Sequence, residues 1–154
     1  MSELPQMRKS GVKKVPVKRE EAADPLVPQT EDIFFRAVKE ARKFLTSQFG
    51  APLDGRHRMV FFDHAKDEVL KVPSQITGIS GNLQELDQQN EILAATHLDE
   101  ELSLRFGFPI LRMEKVVPVK PFQEGLPSWT DSIDCCQVGH TSDGRLVAYD
   151  WEHA

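Results

Sequence analysis

The chain reads as an α+β protein: an antiparallel sheet with two helices, preceded by an extended basic N-terminal arm. Three observations predict this. Residues 30–49 repeat apolar side chains at helical spacing. Two strand-like runs, 58–62 and 68–72, are separated by a link of hairpin length. A further pair of runs, 135–138 and 145–151, flanks Ser142-Asp143-Gly144, a turn signal. No internal repeat is present, and the order helix, two strands, helix, strand, hairpin is that of an α+β fold.

Composition bounds the function. A length of 154 residues holds one domain (30–154) plus a tail (1–29), and 40% apolar with 28% charged residues is globular usage. The net charge of -5 excludes a broad electrostatic attraction of the whole molecule for nucleic acid or acidic membrane. No apolar stretch approaches the roughly 20 residues of a membrane span, and the N-terminus lacks the apolar core of a signal peptide. The adjacent Cys135 and Cys136 offer no disulfide framework and fit a reducing compartment. A cytoplasmic protein is expected.

The elements follow in order. Residues 1–29 carry Pro5, Pro16, Pro25 and Pro28 and no hydrophobic period. The six cations Arg8, Lys9, Lys13, Lys14, Lys18 and Arg19 come without an intervening acid, and Glu20, Glu21 and Asp24 follow. This is the pattern of an extended or disordered arm, able to grip an acidic partner or a phosphate backbone. Thr30 is a good N-cap, Glu31 and Asp32 suit the positive end of a helix, and Gly50 with Pro52 stops it. Phe34, Val38, Ala41, Leu45 and Phe49 form its apolar face, with Arg36, Lys39, Arg42 and Lys43 largely opposite. Arg58–Phe62 and Glu68–Val72 are the paired strands, although the link 63–67 lacks glycine. A loop through Pro73, Gly78 and Gly81 leads to a helix whose capping box is Asn82-Leu83-Gln84-Glu85 and whose stripe runs through Leu86 and Leu93 to about Thr96. Phe108–Val119, interrupted by Pro109 and Pro118, suits a strand entering a connector.

A charge sits inside the second strand: Val69-Leu70-Lys71-Val72. Unpaired burial of that lysine is costly, so it must reach solvent, a carboxylate or a ligand phosphate. With a glutamate-bearing helix after it, Arg112–Val117 as a strand entering a hinge, and Leu146-Val147-Ala148-Tyr149-Asp150-Trp151 ending in an aspartate, the order over 56–152 resembles the N-terminal lobe of the protein-kinase-like fold. The resemblance implies that Lys71 holds nucleotide phosphates, that Glu85 or Glu91 pairs with it, and that Asp150 holds magnesium.

The chain departs from that pattern in ways that bear on activity. The hairpin before Lys71 has no glycine to cradle phosphates. There is no His-Arg-Asp loop; Asp131-Ser132-Ile133-Asp134-Cys135-Cys136-Gln137 is a worn version at best, with Asp131 or Asp134 as base and Gln137 in the position of a metal-binding asparagine. Trp151-Glu152 stands where Phe-Gly is expected. Fewer than 20 residues separate Val119 from Asp134, too few for a large helical lobe.

Other candidates are thinner. Cys135, Cys136, His140 and His153 have zinc-ligating atoms, but adjacent cysteines on a strand point to opposite faces, so no metal site is expected. A Cys136–His140 nucleophile pair would lack an orienting group, and His57, His64 and His97 are scattered surface residues. Phe122, Leu126, Pro127 and Trp129 either cover the sheet or, through Phe122 and Trp129, anchor a partner.

The expectation is therefore a non-catalytic accessory or assembly protein, with no cofactor. It would bind a protein partner or larger assembly through the cationic arm, Phe122 and Trp129, on a scaffold of degenerate-kinase or pseudokinase type. A virus-encoded or particle-associated structural protein would share this layout. The alternative is a minimal phosphotransferase using ATP and magnesium through Lys71, Glu85, Asp134 and Asp150. Nucleic-acid binding through the arm is the third reading, and no membrane association is expected.

Overall fold

The computed structural model describes residues 26–120, 123–133 and 137–149. Helix α1 spans Glu31–Phe49; the Thr30 hydroxyl accepts from the Ile33 N–H at 3.1 Å, and Gly50, at φ 90°, closes the other end with its N–H on Thr46 O. These are the expected caps. A two-residue strand, β1 (Leu53–Asp54), then pairs with β2 (Arg58–Asp63), which pairs antiparallel with β3 (Glu68–Pro73) in the register Phe61↔Leu70. The hairpin turns without glycine because Asp67 takes the left-handed conformation at φ 57°, one that aspartate tolerates.

Helix α2 is the main correction to the expected elements. It runs Ile76–Asp87, so Gly78 and Gly81 lie inside it, Asn82 is interior, and Leu93 lies beyond its end in a bridge to Ala148. Asn82 does not cap the helix, because its side chain is fully buried in hydrogen bonds to other elements. Gly78 permits the early start. A Cβ there would lie 2.4 Å from His57 O and 3.0 Å from Pro73 Cα, so the helix approaches the β2–β3 backbone more closely than any side chain allows.

Beyond α2 come β4 (Thr96–Leu98), α3 (Glu100–Phe106), β5 (Leu111–Glu114) and β6 (Val116–Pro118). A 3-10 turn at Ser128–Ser132 precedes β7 (Val138–Thr141) and β8 (Leu146–Ala148). The helix α3 was not expected. Its signals are nonetheless present: Asp99 caps it, accepting from Leu102 N–H at 3.0 Å, and Gly107 ends it at φ 83°. The fold is α+β and antiparallel as expected, with three helices and two sheets, ordered β1-β2-β3-β5-β4 and β6-β7-β8.

Strand alternation divides the five-stranded sheet into two buried faces. On one, Met59, Phe61, Leu70, Val72 and Ile110 pack against Phe34, Ala41 and Leu45 of α1 and against Phe108. On the other, Val69 and Met113 pack against Ala94 and Val147, which brings the smaller sheet beneath β3 and β5. Backbone bonds tie that sheet in place, Ala94 N–H to Ala148 O and Ala148 N–H to Ile92 O, each 2.8 Å. No helix among the described residues is long and apolar enough to cross a membrane.

Candidate functional site: a buried charge cluster around Glu85

Lys71 sits on β3 facing α2, and it pairs with Glu85 rather than Glu91. Lys71 Nζ is 3.0 Å from Glu85 Oε1 and donates to Tyr149 O at 2.8 Å, whereas Glu91 is exposed in the turn after α2. Tyr149 is the residue that precedes Asp150 in the chain. Asp150 itself lies outside the described residues.

Glu85 carries a second cation that sequence reasoning missed. Arg58, at the start of β2, donates from Nη1 to Glu85 Oε2 and to Asn82 Oδ1, the latter at 2.8 Å. Asn82 in turn donates to Lys71 O at 3.0 Å and Pro109 O at 2.8 Å. Arg58, Lys71 and Glu85 are each at most 5% exposed, and Asn82 is fully buried. One carboxylate and one amide thus gather β2, β3, α2 and the strand leading to β5 into a satisfied polar network in the interior. Charges at this depth are tolerated only when paired and hydrogen-bonded.

The space beside the cluster is small. Glu85, Gln89, Leu93, Ala94, Thr96, Met113, Ala148 and Tyr149 line a cavity of about 10 Å³. That approaches the room needed for one water and is far below the roughly 300 Å³ at which ligand pockets begin. Among the described residues no group of three or more His, Cys, Asp or Glu side chains is placed to hold a metal ion.

A second charge cluster lies on the opposite face of the sheet. Arg112 Nη1 donates to Asp63 at 2.8 Å and Glu68 at 3.0 Å, and Arg112 Nε to Asp99 at 2.7 Å. Burial opposes the charge on Arg112, but its bonds to Asp99, Asp63 and Glu68 outweigh that and hold its pKa above the ordinary value. Burial likewise pushes the Asp63 carboxyl up; the bonds from Arg112 and from the Lys66 N–H prevail and leave it below the usual carboxylate range. Asp99 caps α3 and holds Arg112 at once, which fastens that helix to β5.

Of the remaining sequence candidates, Trp129 stands in the 3-10 turn, half-buried with Leu126 against Leu93, Ile133, Val138 and Ala148. Gln137 Oε1 is buried without a hydrogen-bond partner among the described residues. Phe122, Asp134, Cys135, Cys136 and the arm cations Arg8, Lys9, Lys13, Lys14, Lys18 and Arg19 lie outside the described residues. Arg58 left one trace in the sequence, a charge opening an apolar strand. Asn82 was hidden by a capping-box pattern that the helix does not use. Compared with known proteins, the chain matches no family model, no curated protein and no solved structure.

Proposed function

We propose that this chain is a non-catalytic binding protein, an accessory or assembly factor on a pseudokinase-like scaffold in which the Lys71–Glu85 pair is a structural tie. One observation carries the reading: Lys71, 5% exposed, is bonded to Glu85 and Tyr149 O beside a cavity that admits no more than a water. A lysine so placed has little freedom to meet a nucleotide phosphate. The binding half of the proposal rests on the arm, whose six cations from Arg8 to Arg19 stand against an overall charge of -5 and suit an acidic partner surface. Calorimetry with ATP and magnesium tests the first half. No binding heat is expected from the full chain, and micromolar binding that disappears in Lys71→Ala overturns it. For the second half, deletion of residues 1–29 is expected to abolish co-purification with a partner while the circular dichroism spectrum keeps its folded form; unchanged recovery overturns it.

A second reading, a minimal phosphotransferase using Lys71, Glu85, Asp134 and Asp150 with ATP and magnesium, is favoured by a specific contact. The bond from Lys71 to Tyr149 O brings the residue before Asp150 to the lysine, the neighbourhood that phosphoryl transfer uses for a lysine and a metal-binding aspartate. The calorimetric experiment separates the two.

A further inference from the structure

Helix α2 buries Gly78, Asn82 and Glu85 and turns the opposite stripe outward: Ile76, Ser80, Leu83 and Asp87, at helical spacing. Ile76 is 41% and Leu83 45% exposed. The stripe is set apart by how little charge it carries. In a chain of which 28% is charged, residues 72–84 hold no charge at all. The carboxylate that follows, Glu85, is turned inward onto Arg58 and Lys71, and Asp87, the last residue of the helix, supplies the charge of the stripe. The hydroxyls on this side are already bonded within the chain. Ser80 Oγ donates to Thr77 O at 2.9 Å, and Thr77 Oγ1 is hydrogen-bonded to His57 Nδ1 at 2.6 Å. An apolar side chain laid over Ser80 or Thr77 therefore breaks neither bond, and covering the stripe costs little desolvation.

We propose that this stripe pairs with the same stripe of a second copy of the chain, antiparallel across a twofold axis. Charge selects the partner. Each copy carries a net charge of -5, so two copies repel overall. A nearly uncharged stripe is where they can meet without setting like charges together, and it offers little to attract a strongly acidic or basic partner. Shape agrees. With the axis midway along Ile76–Asp87, Ser80 of one copy faces Leu83 of the other, and by symmetry Leu83 faces Ser80. Small meets large twice, the self-complementarity that an isologous contact requires. The same register sets Asp87 against the other copy's Ile76, at a helix start that has no acid of its own and whose positive end suits a carboxylate. The contact is a small one. A helix of 12 residues is about 18 Å long, and a face of that length falls short of the roughly 800 Å² per partner of a stable interface. The dimer is accordingly weak, with a Kd on the order of 100 μM. It depends neither on the arm nor on whether Lys71 meets a nucleotide.

Sedimentation equilibrium on the full chain, from about 10 μM to about 1 mM, tests it. The weight-average mass is expected to rise with concentration from that of one chain toward that of two. Leu83→Glu and Ser80→Arg, both at exposed positions, each put two like charges into the contact and are expected to leave the chain monomeric throughout. Mixed one to one, the two variants are expected to associate again, because the new arginine of one copy then faces the new glutamate of the other. Circular dichroism of each variant serves as the folding control. A natural chain that stays monomeric at the highest concentration overturns the proposal and gives the stripe to a different protein or to another segment of this chain. Association that survives either single variant overturns it by placing the contact elsewhere on the surface. A mixture that stays monomeric overturns the antiparallel pairing of Ser80 with Leu83.

Discussion

Replacing Glu85 by glutamine keeps the shape of the side chain and removes the one charge shared by Arg58 and Lys71. The two cations reach the same carboxylate, Lys71 Nζ at 3.0 Å from Oε1 and Arg58 Nη1 on Oε2, with side chains only 3–7% exposed. Glutamine would accept on one atom and present its NH₂ donors on the other, so one cation would face a donor in the interior. Breaking a buried pair in this way costs about 3–5 kcal/mol, a large share of the roughly 5–15 kcal/mol that holds a domain folded. For a chain of this size that corresponds to a Tm lower by roughly 6–20 °C. Urea unfolding followed by circular dichroism measures it directly. As a calibration, Arg42→Ala, which breaks the exposed Arg42–Asp54 pair (46% and 56% exposed), is expected to cost no more than about 1 kcal/mol. If Glu85→Gln costs no more than Arg42→Ala, the cluster is not a structural tie and the reasoning fails. The triple change Arg58→Met/Lys71→Met/Glu85→Leu, which removes all three charges together, is expected to recover most of the loss.

Arg112→Met leaves Asp63, Glu68 and Asp99 facing one another on the other side of the sheet; a loss of about 3–5 kcal/mol is expected, read from the urea midpoint. Because the folded-state pKa of Asp63 is depressed, its contribution to stability is complete above the unfolded value of about 4 and is lost as pH falls through the folded value. Stability should therefore decline below about pH 4, and Asp63→Asn should flatten that decline; an unchanged slope would count against the assignment. Gly78→Ala should destabilise by about 1–3 kcal/mol because the new methyl group meets the His57 backbone at 2.4 Å. Gly81→Ala, three residues along the same helix with nothing within 4 Å, should stabilise by about 0.5–1 kcal/mol. Equal effects at the two glycines would refute the close approach of α2 to the β2–β3 backbone.

The local order of this chain was legible because its physical signals are local. Thr30 with Glu31 and Asp32, then an apolar face ending at Gly50, specifies α1 through its own hydrogen bonds and period. The runs 58–62 and 68–72 specify a hairpin by side-chain alternation and link length. The α3 signals, Asp99 and Gly107, are equally local, but seven residues make only two turns, too few to establish a helical period. A charge inside an apolar strand announced that Lys71 needed a partner, and a glutamate on the following helix was in range. What the residues could not say is which glutamate, since Glu85 and Glu91 both stand near the apolar stripe. The decision came from the true start of α2, set by the approach that Gly78 permits to His57, which turns Glu85 inward and carries Glu91 past the helix end. Tertiary structure alone also added Arg58 and Asn82 to the cluster, from positions 27 and 24 residues apart along the chain to their partners. The sequence by itself determined that a buried cation had to be answered. Only the packing of β2, β3 and α2 decided which groups answer it, because pairing in an interior depends on which side chains are desolvated together, not on their spacing along the chain.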